Sequence, residues 1–172
     1  MKINILQEYN IHSEAPREHW MYLDVCGKRV LDCGCGRWDA VDKSDFTPIY
    51  FLNQGAEHII GIDISQAEIN FYNSEKISNS TFILDNLNTA DKLINIINEY
   101  KIQTIKMDIE GNEKILFDVQ KEDFIVIEQI AVEYHLSISK DELLAKLVEL
   151  GFKDFTIGYL WIQGMGVIFA KK

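Results

Sequence analysis

The sequence predicts an α/β fold built on one mainly parallel β-sheet. Patterns typical of strands and of helices alternate along the chain, as in proteins whose parallel strands are joined by crossover helices. Two apolar strand patterns, Arg29–Cys33 and Ile59–Asp63, each carry an acidic residue at or near their end, and two glycines follow the first. With 172 residues, one domain over residues 1–172 is expected, and residues 1–28 form an N-terminal segment whose helix packs on it.

In the first half of the chain, turn and capping residues mark the ends of the elements. The elements, in order, are a helix over residues 14–26, a strand over 29–33, a helix from 47 to 55, a strand over 59–63 and a helix that begins at 65. Ser13 and Thr47 are suitable N-caps, and Pro48 fits the first position of a helix. Ser65 and Glu68 form the capping box of the third helix. Glycines end the first two helices.

The second half continues the alternation and ends in a hairpin. Its elements are a strand over residues 81–84, a helix over 89–100, a strand over 102–109, a helix over 112–119, a strand over 130–135 and a helix from 139 to 151. Ser139 and Glu142 form a second capping box, and Gly151 ends that helix. Residues 152–170 contain two strand patterns around a turn at 163–166, which predicts an antiparallel hairpin on the sheet edge. The predicted fold is a single doubly wound, Rossmann-like sheet with a C-terminal antiparallel hairpin.

Charge and composition restrict the classes of partner. A net charge of −10, from 17 basic and 27 acidic residues, disfavours a nucleic-acid partner, because binding to phosphates requires basic residues. No apolar run approaches the roughly 20 residues that a membrane helix needs, and the N-terminus lacks the pattern of a signal peptide. We therefore expect no membrane association and a cytoplasmic location. Cys26, Cys33 and Cys35 are expected to be free thiols, since a Cys-x-Cys pair without further ligands is a poor zinc site.

The glycines and the acids at the strand ends predict a nucleoside-binding crevice at the carboxyl edge of the sheet. Gly34 and Gly36 let the backbone turn sharply and approach a ligand closely. Asp63 is placed to accept hydrogen bonds from two ribose hydroxyls. Asp85 and Asn86 follow the third strand and are candidates for contact with an adenine amine, although the same dipeptide is common in turns. The cofactor-binding candidates are Asp32, Gly34, Cys35, Gly36, Asp63, Ile64, Asp85 and Asn86.

Two classes of nucleoside-binding protein share this arrangement, the dinucleotide dehydrogenases and the S-adenosylmethionine-dependent methyltransferases. The dinucleotide fingerprint needs a third glycine and an acid about 20 residues further on. Here Arg37 and Trp38 follow the glycines, and Asp63 lies 31 residues after Asp32. Both departures disfavour a nicotinamide dehydrogenase. A closing antiparallel strand is also more typical of the methyltransferase sheet.

The fourth predicted strand carries the most specific motif. Residues 105–113 read Ile-Lys-Met-Asp-Ile-Glu-Gly-Asn-Glu, which resembles the Lys-Ile-Asp-x-Glu-Gly-x-Glu signature of FkbM-type methyltransferases. The segments 130–135 and 143–152 extend the resemblance, which runs from about Val30 to the C-terminus. It implies a class I methyltransferase domain with strand order 3-2-1-4-5-7-6, S-adenosylmethionine as cofactor and, in most members, methylation of oxygen. The sequence departs from the family at Trp38, where a small residue is usual, and by an insertion over residues 37–46.

Ionisable residues alternate with apolar ones on the fourth and fifth strands, which is unusual for strands covered on both faces. In the methyltransferase strand order these strands are neighbours, so their acidic and histidine side chains should converge at the ligand edge. The catalytic candidates are Asp108, Glu110, Glu133 and His135. Lys106 could instead form a buried ion pair with Glu133, and Glu110 and Glu113 could simply lie at a helix N-terminus. The spacing of the carboxylates does not require a metal ion, and no metal ligand is assigned.

These observations predict an S-adenosylmethionine-dependent methyltransferase that acts on an oxygen of a small-molecule or glycan-like acceptor. Asp108 and His135 are the candidates for the base that removes the acceptor proton, with Glu110 and Glu133 orienting them or the substrate. The alternative is a methyltransferase-like domain that has lost catalysis and acts as a scaffold or regulatory subunit. The acceptor and the oligomeric state do not follow from the sequence.

Overall fold

A computed structural model describes residues 2–5, 20, 22–36, 46–159 and 165–172. The strands are β1 (Lys2–Ile5), β2 (Arg29–Cys33), β3 (His58–Asp63), β4 (Ser80–Leu84), β5 (Thr104–Met107), β6 (Gln129–Tyr134), β7 (Asp154–Tyr159) and β8 (Gly166–Lys171). The α-helices with both ends in the described residues are α1 (Thr47–Asn53), α2 (Gln66–Glu75), α3 (Ala90–Tyr100) and α4 (Lys140–Glu149). Two 3₁₀ helices, Glu113–Asp118 and Lys121–Phe124, precede β6.

The strands form one sheet in the order β1-β7-β8-β6-β5-β2-β3-β4. Strand β8 is antiparallel to both of its neighbours, and all the other pairs are parallel. The predicted fold class and strand order are therefore confirmed, and β1 is added beside β7. After β4 the chain returns to the other side of β2, so the direction of winding reverses between β2 and β5. In open α/β sheets, the crevice at such a switch point is where ligands bind.

Apolar side chains cover both faces of the sheet. Successive strand residues point to opposite faces, so Leu31 and Ile60 belong to one buried cluster, while Val30 and Ile59 belong to another. The first cluster is packed by α3, α4 and the 3₁₀ helices, and the second by α1 and by residues around Trp20. The strands are thus buried on both sides, which accounts for their continuous apolar runs. No helix of the described residues is long and apolar enough to cross a bilayer.

Several element boundaries differ from those predicted. Most of the predicted first helix lies outside the described residues, and residues 22–28 form turns, so the helix does not extend to Cys26. Phe46, and not Thr47, is the N-cap of α1, and it makes no side-chain capping bond. The segment predicted as a helix over 112–119 is a 3₁₀ helix. Residues 37–45, which include Trp38 and most of the insertion, and residues 163–164 of the hairpin turn lie outside the described residues.

The predicted N-caps Ser65 and Ser139 are confirmed, and Thr89, which was predicted only as the start of a helix, is a further N-cap. The Ser65 hydroxyl accepts a hydrogen bond from the Glu68 N–H, and the Thr89 hydroxyl accepts one from the Lys92 N–H. Ser139 and Glu142 form a reciprocal capping box at the start of α4. These local bonds satisfy N–H groups that have no partner within the first helical turn. They also fix where the loops at the carboxyl edge of the sheet end.

Gly34 determines how closely the first loop approaches β5. Its φ is +76°, and a Cβ at this position would lie 1.8 Å from the backbone oxygen of Asp108. Gly27 has a similar φ of +67°, yet a Cβ there would meet no atom within 4 Å. Replacing either glycine by alanine would therefore cause similar backbone strain. Only at position 34 would the new Cβ also clash with a neighbouring atom.

We expect Gly34→Ala to destabilise the protein much more than Gly27→Ala. Placing an alanine in the left-handed region costs about 1–2 kcal/mol at either position. At position 34 the clash with the β5 end adds roughly 1–3 kcal/mol for overpacking. Urea denaturation of both variants, followed by circular dichroism, measures the difference in the free energy of unfolding. Equal losses for the two alanines would contradict the close contact between the loop and Asp108.

Candidate functional site

A cavity opens at the carboxyl edge of the sheet, where β2, β3, β4 and β5 end. Twelve residues from the four strand ends and their loops line it: Gly34, Gly36, Ile62, Asp63, Ile64, Asp85, Asn86, Leu87, Asp108, Ile109, Glu110 and Asn112. Eight of them are predicted site residues. The cavity lies at the switch point of the winding, which is the position expected for a ligand site in this fold.

The glycine loop is held to β3 by backbone hydrogen bonds. The N–H groups of Gly34 and Cys35 both donate to the carbonyl of Ile62, at 2.9 and 3.2 Å. The Tyr72 hydroxyl of α2 donates to the Cys35 carbonyl at 2.8 Å. The Cys35 thiol is buried beside Phe46 and Tyr72, and burial raises its pKa, so it stays protonated. Of the residues of this loop that were predicted to bind the cofactor, Gly34 and Gly36 line the cavity. Cys35 does not line it, and its side chain packs in the core behind the loop.

Asp32 and Lys106 form a buried ion pair beneath the loop. They are directly opposite each other on β2 and β5, and the Lys106 Nζ lies 3.0 Å from Asp32 Oδ1. Neither side chain is exposed by more than 3%. Burial raises the pKa of Asp32 to about 6, an effect that the neighbouring Lys106 opposes. The alternative pairing of Lys106 with Glu133 is wrong, because the β6 residue opposite Lys106 is Ala131.

Lys106 also connects the ion pair to the loop. Its Nζ donates to the Gly34 carbonyl at 2.6 Å and lies 5.0 Å from the centre of the Trp20 ring. Asp32 was predicted to bind the cofactor, yet it is fully buried and does not line the cavity. The structure therefore places Asp32 where it can fix the position of Lys106 and, through Lys106, the Gly34 carbonyl.

The opposite wall of the cavity comes from the ends of β3 and β4. Asp63 Oδ1 accepts a hydrogen bond from the Ser65 N–H at 2.8 Å, which fixes the direction of this carboxylate. Ile64 beside it is 74% exposed, so an apolar side chain faces solvent at the cavity. Asp85 Oδ1 lies 2.6 Å from Lys92 Nζ, and this hydrogen bond lowers the pKa of Asp85. Asp63, Ile64, Asp85 and Asn86 all line the cavity, and their binding of a cofactor stays a prediction.

Beyond the glycine loop lies a group of four carboxylates around one imidazole, here called the carboxylate–imidazole cluster: Asp108, Glu110, Glu113, Glu133 and His135. His135 Nε2 faces Glu110 Oε2 at 3.4 Å, Glu133 Oε1 at 3.7 Å and Asp108 Oδ1 at 3.9 Å. The four predicted catalytic residues thus come together at the ends of β5 and β6. Burial, with the nearby charge of Asp108, raises the pKa of Glu133 to about 8.

Glu113 organises this cluster, a role that the sequence did not predict. It is fully buried, and its Oε1 accepts hydrogen bonds from the N–H groups of Ile109 and Gly111 at 3.1 and 3.2 Å. The same oxygen lies 2.9 Å from His135 Nδ1. A carboxylate can only accept, so Nδ1 carries a proton, and Nε2 faces the carboxylates of Asp108, Glu110 and Glu133. Of the predicted catalytic residues, Asp108 and Glu110 line the cavity, and Glu133 and His135 do not. The hydrogen bond to Glu113 is the main cause that raises the pKa of His135 to about 9.

The turn that carries these residues is conformationally unusual. Glu110 has φ of +51° and Gly111 has φ of +95°, so two successive residues occupy the left-handed region. For a residue such as glutamate this conformation costs free energy, and such strain is concentrated at functional sites. The hydrogen bonds that the turn donates to Glu113 hold it in place. The Glu-Gly-x-Glu spacing was the signal for this turn, but its long-range partner His135 is not visible in a local pattern.

Comparison with known proteins adds evidence for the fold. No protein-family model and no curated protein matches the sequence. TrmK of M. capricolum, solved with S-adenosylhomocysteine, has a TM-score of 0.60 and 16% identity over 91% of this chain and 66% of its own. Streptococcus pneumoniae Sp1610, a candidate tRNA (m1A22) methyltransferase, has a TM-score of 0.61 and 13% identity. The match covers 90% of this chain and 68% of the Sp1610 chain.

A third solved structure matches almost end to end. It is an S-adenosylmethionine-dependent methyltransferase from Mesorhizobium loti, with a TM-score of 0.58 and 10% identity, and it covers 91% of this chain and 96% of its own. The chain spans about two thirds of the length of the first two proteins. At such identities the likeness establishes the fold, which these three methyltransferases share with this chain.

The buried ion pair predicts a specific pattern of stability. We expect Asp32→Asn to lower the free energy of unfolding by about 3–5 kcal/mol, because it leaves the Lys106 ammonium buried without a counter-charge. The double variant Asp32→Asn with Lys106→Met should recover a substantial part of that loss, since no unpaired charge remains. Urea denaturation of the two single variants and the double variant measures the coupling. Additive losses would show that the two charges do not interact.

Proposed function

We propose that this chain is an S-adenosylmethionine-dependent methyltransferase. The observation that supports it best is a cavity lined by the glycine loop, by Asp63 and by two residues of the carboxylate–imidazole cluster, Asp108 and Glu110. The fold is shared with solved methyltransferases, one of which holds S-adenosylhomocysteine. The FkbM-type motif at residues 105–113 supplies both Asp108, which lines the cavity, and Glu113, which organises the cluster. The single domain over residues 1–172 and the cytoplasmic location stay predictions.

The residues of the cavity suit the adenosine part of the cofactor. Asp63 presents a carboxylate oriented by Ser65, which suits two neighbouring ribose hydroxyls. The exposed Ile64 offers an apolar surface for a purine ring, and Asn86 offers an amide at the same wall. The backbone of Gly34 and Gly36 leaves room for the part of the ligand that continues toward Asp108. This placement points the reacting end of the cofactor at the carboxylate–imidazole cluster.

The chain's own residues then provide orientation and a proton acceptor. When bound, S-adenosylmethionine supplies an electrophilic methyl group on a sulfonium. Aligning the acceptor oxygen with this methyl group can contribute up to about 7–11 kcal/mol to lowering the barrier. Asp108 would remove the hydroxyl proton as the oxygen–methyl bond forms and the carbon–sulfur bond breaks, with the electron pair returning to sulfur. His135 is the weaker candidate for this base, because its pKa of about 9 keeps the imidazole protonated at neutral pH. Asp108 Oδ1 is shielded from solvent and has no hydrogen-bond partner in the described residues, so this oxygen is free to accept the proton.

The charges around the cavity favour an uncharged acceptor. The carboxylates of Asp108 and Glu110 lie at the reacting end, and the whole chain carries a net charge of −10. Such a field repels phosphate groups. We therefore propose that the acceptor is a hydroxyl of a small molecule or a glycan. A tRNA acceptor, as suggested for the Streptococcus pneumoniae protein, is the rival that experiment must test.

Asp63→Asn should weaken the binding of S-adenosylhomocysteine about 10-fold or more, because a hydrogen bond to a charged group contributes roughly 1.5–3 kcal/mol. Isothermal titration calorimetry measures the affinity, and Asp91→Asn, which removes an exposed carboxylate on α3, is the matched control. The affinity for NAD⁺ should be far weaker than that for S-adenosylhomocysteine. An absence of saturable heat with the wild-type chain would support the non-catalytic scaffold instead.

The acceptor class can be tested with S-adenosylmethionine that carries a radiolabelled methyl group. We expect label in neutral hydroxyl compounds, such as glycosides and phenols, and none in total tRNA. Asp108→Asn should lower transfer by about 10²–10⁴-fold, the usual contribution of a general base, while the affinity for S-adenosylhomocysteine stays within a factor of three. Label in the tRNA fraction that depends on the wild-type chain would overturn the proposed acceptor class.

A further inference from the structure

The carboxylate–imidazole cluster has the geometry of a divalent cation site. One atom each from Asp108, Glu133 and His135 lie within 4.8 Å of one another. His135 Nε2 faces carboxylate oxygens at 3.4–3.9 Å, which is longer than the 2.7–3.2 Å usual for an N–H···O hydrogen bond. Ligand atoms that share one ion with bonds of about 2.1 Å lie about 3.0–3.4 Å apart. His135 Nε2 lies 3.7 Å from the Glu133 oxygen and 3.9 Å from the Asp108 oxygen, and all three atoms lie within 4.8 Å of one another, so side-chain movements would bring them around one ion.

The surroundings of His135 match those of a metal-ligating histidine. Such a histidine usually donates its second ring N–H to a carboxylate, which fixes the tautomer and turns the free nitrogen toward the ion. Glu113 occupies that position, because its Oε1 lies 2.9 Å from Nδ1 and also accepts two backbone N–H groups. Glu113 is completely buried, and His135 is 91% buried, so this orientation is not the chance arrangement of an exposed side chain.

Two further atoms of the cluster have no partner. Asp108 Oδ1 is shielded from solvent and receives no hydrogen bond from the described residues, and the same is true of Oε2 of the fully buried Glu113. A carboxylate oxygen removed from water without a donor is costly unless a positive charge compensates it. The buried Lys106 is already paired with Asp32. Two shielded carboxylate oxygens of the cluster thus lack a hydrogen-bond donor, and the imidazole of His135, whose Nε2 lies 3.9 Å from Asp108 Oδ1, is the cluster's own cationic group.

We propose that Asp108, Glu133 and His135 bind one divalent cation, with Glu110 as an additional ligand and Glu113 orienting the imidazole. A set of carboxylate oxygens with one imidazole nitrogen suits Mn²⁺, and Zn²⁺ and Mg²⁺ are the ions to compare with it. The proposal stands apart from the proposed methyl transfer, because cation binding needs neither cofactor nor acceptor. The cation would lie beside Asp108 at the cavity, where it could also hold an acceptor hydroxyl.

The test is a titration of the 172-residue chain with MnCl₂ in the absence of cofactor, by calorimetry and by loss of the free Mn²⁺ signal in electron paramagnetic resonance. We expect one saturable site per chain, and spin-echo modulation from one coordinated imidazole nitrogen. Glu133→Gln should weaken the site at least 10-fold, and Glu113→Gln should weaken it 10–100-fold, the usual effect of removing an orienting partner. Glu122→Gln, which removes an exposed carboxylate from the second 3₁₀ helix, should leave the affinity unchanged.

Two results would overturn the proposal. One is the absence of saturable binding of Mn²⁺, Zn²⁺ and Mg²⁺ by the wild-type chain, which would mean that the cluster is balanced by protons alone. The other is equal binding by the Glu133→Gln and Glu122→Gln variants, which would place the ion elsewhere on the acidic surface. If Glu133→Gln loses its native circular dichroism, Asp108→Asn supplies the same comparison. S-adenosylhomocysteine binding, measured without metal, reports separately on the proposed methyltransferase site.

Discussion

The arrangement of the cavity depends on one buried interaction, the ion pair between Asp32 and Lys106. It joins β2 to β5, the two strands between which the winding of the sheet reverses. Lys106 also donates to the carbonyl of Gly34, whose Cα lies against the Asp108 carbonyl with no room for a side chain. A displacement of the ammonium group would therefore move both the glycine loop and the residue that begins the carboxylate–imidazole cluster. A buried ion pair contributes little net stability, but it fixes geometry by making other arrangements costly.

The fold could be predicted because local signals and the sheet order agree. The strand Arg29–Cys33 and the capping box at Ser139 follow from short patterns, and both are found at the predicted positions. Strand β1 was not predicted. It has only four residues, all of them exposed, and it pairs with β7, whose residues lie about 150 positions further along the chain. Strand β5 ends at Met107, two residues before the predicted end, because the chain then turns at Glu110 and Gly111 with positive φ.

Less of the candidate site could be predicted from the sequence. Which side chains of the site touch one another depends on the register in which neighbouring strands pair. The sequence placed acids at the strand ends, yet it could not say which residue faces Lys106. The register puts Asp32 on one side of Lys106 and Ala131 on the other, so the partner is Asp32. Glu113 was given a role at a helix N-terminus because the Glu-Gly-x-Glu pattern is local. Its contact with His135 depends on the packing of the first 3₁₀ helix against the end of β6, which a linear pattern does not contain.

The two proposals follow from the same electrostatic property of the molecule. Asp63, Asp108 and Glu110 concentrate negative charge at one edge of the sheet, while the buried Lys106 is neutralised by Asp32 and contributes little to that edge. A sulfonium carries a positive charge that its product lacks, so such an edge favours the methyl donor over the product and assists product release. A divalent cation in the cluster would reduce this preference, since it offsets the carboxylates nearest to the reacting centre. The relative affinities for donor and product should therefore change on adding Mn²⁺, which links the two sites through charge alone and without a change of shape.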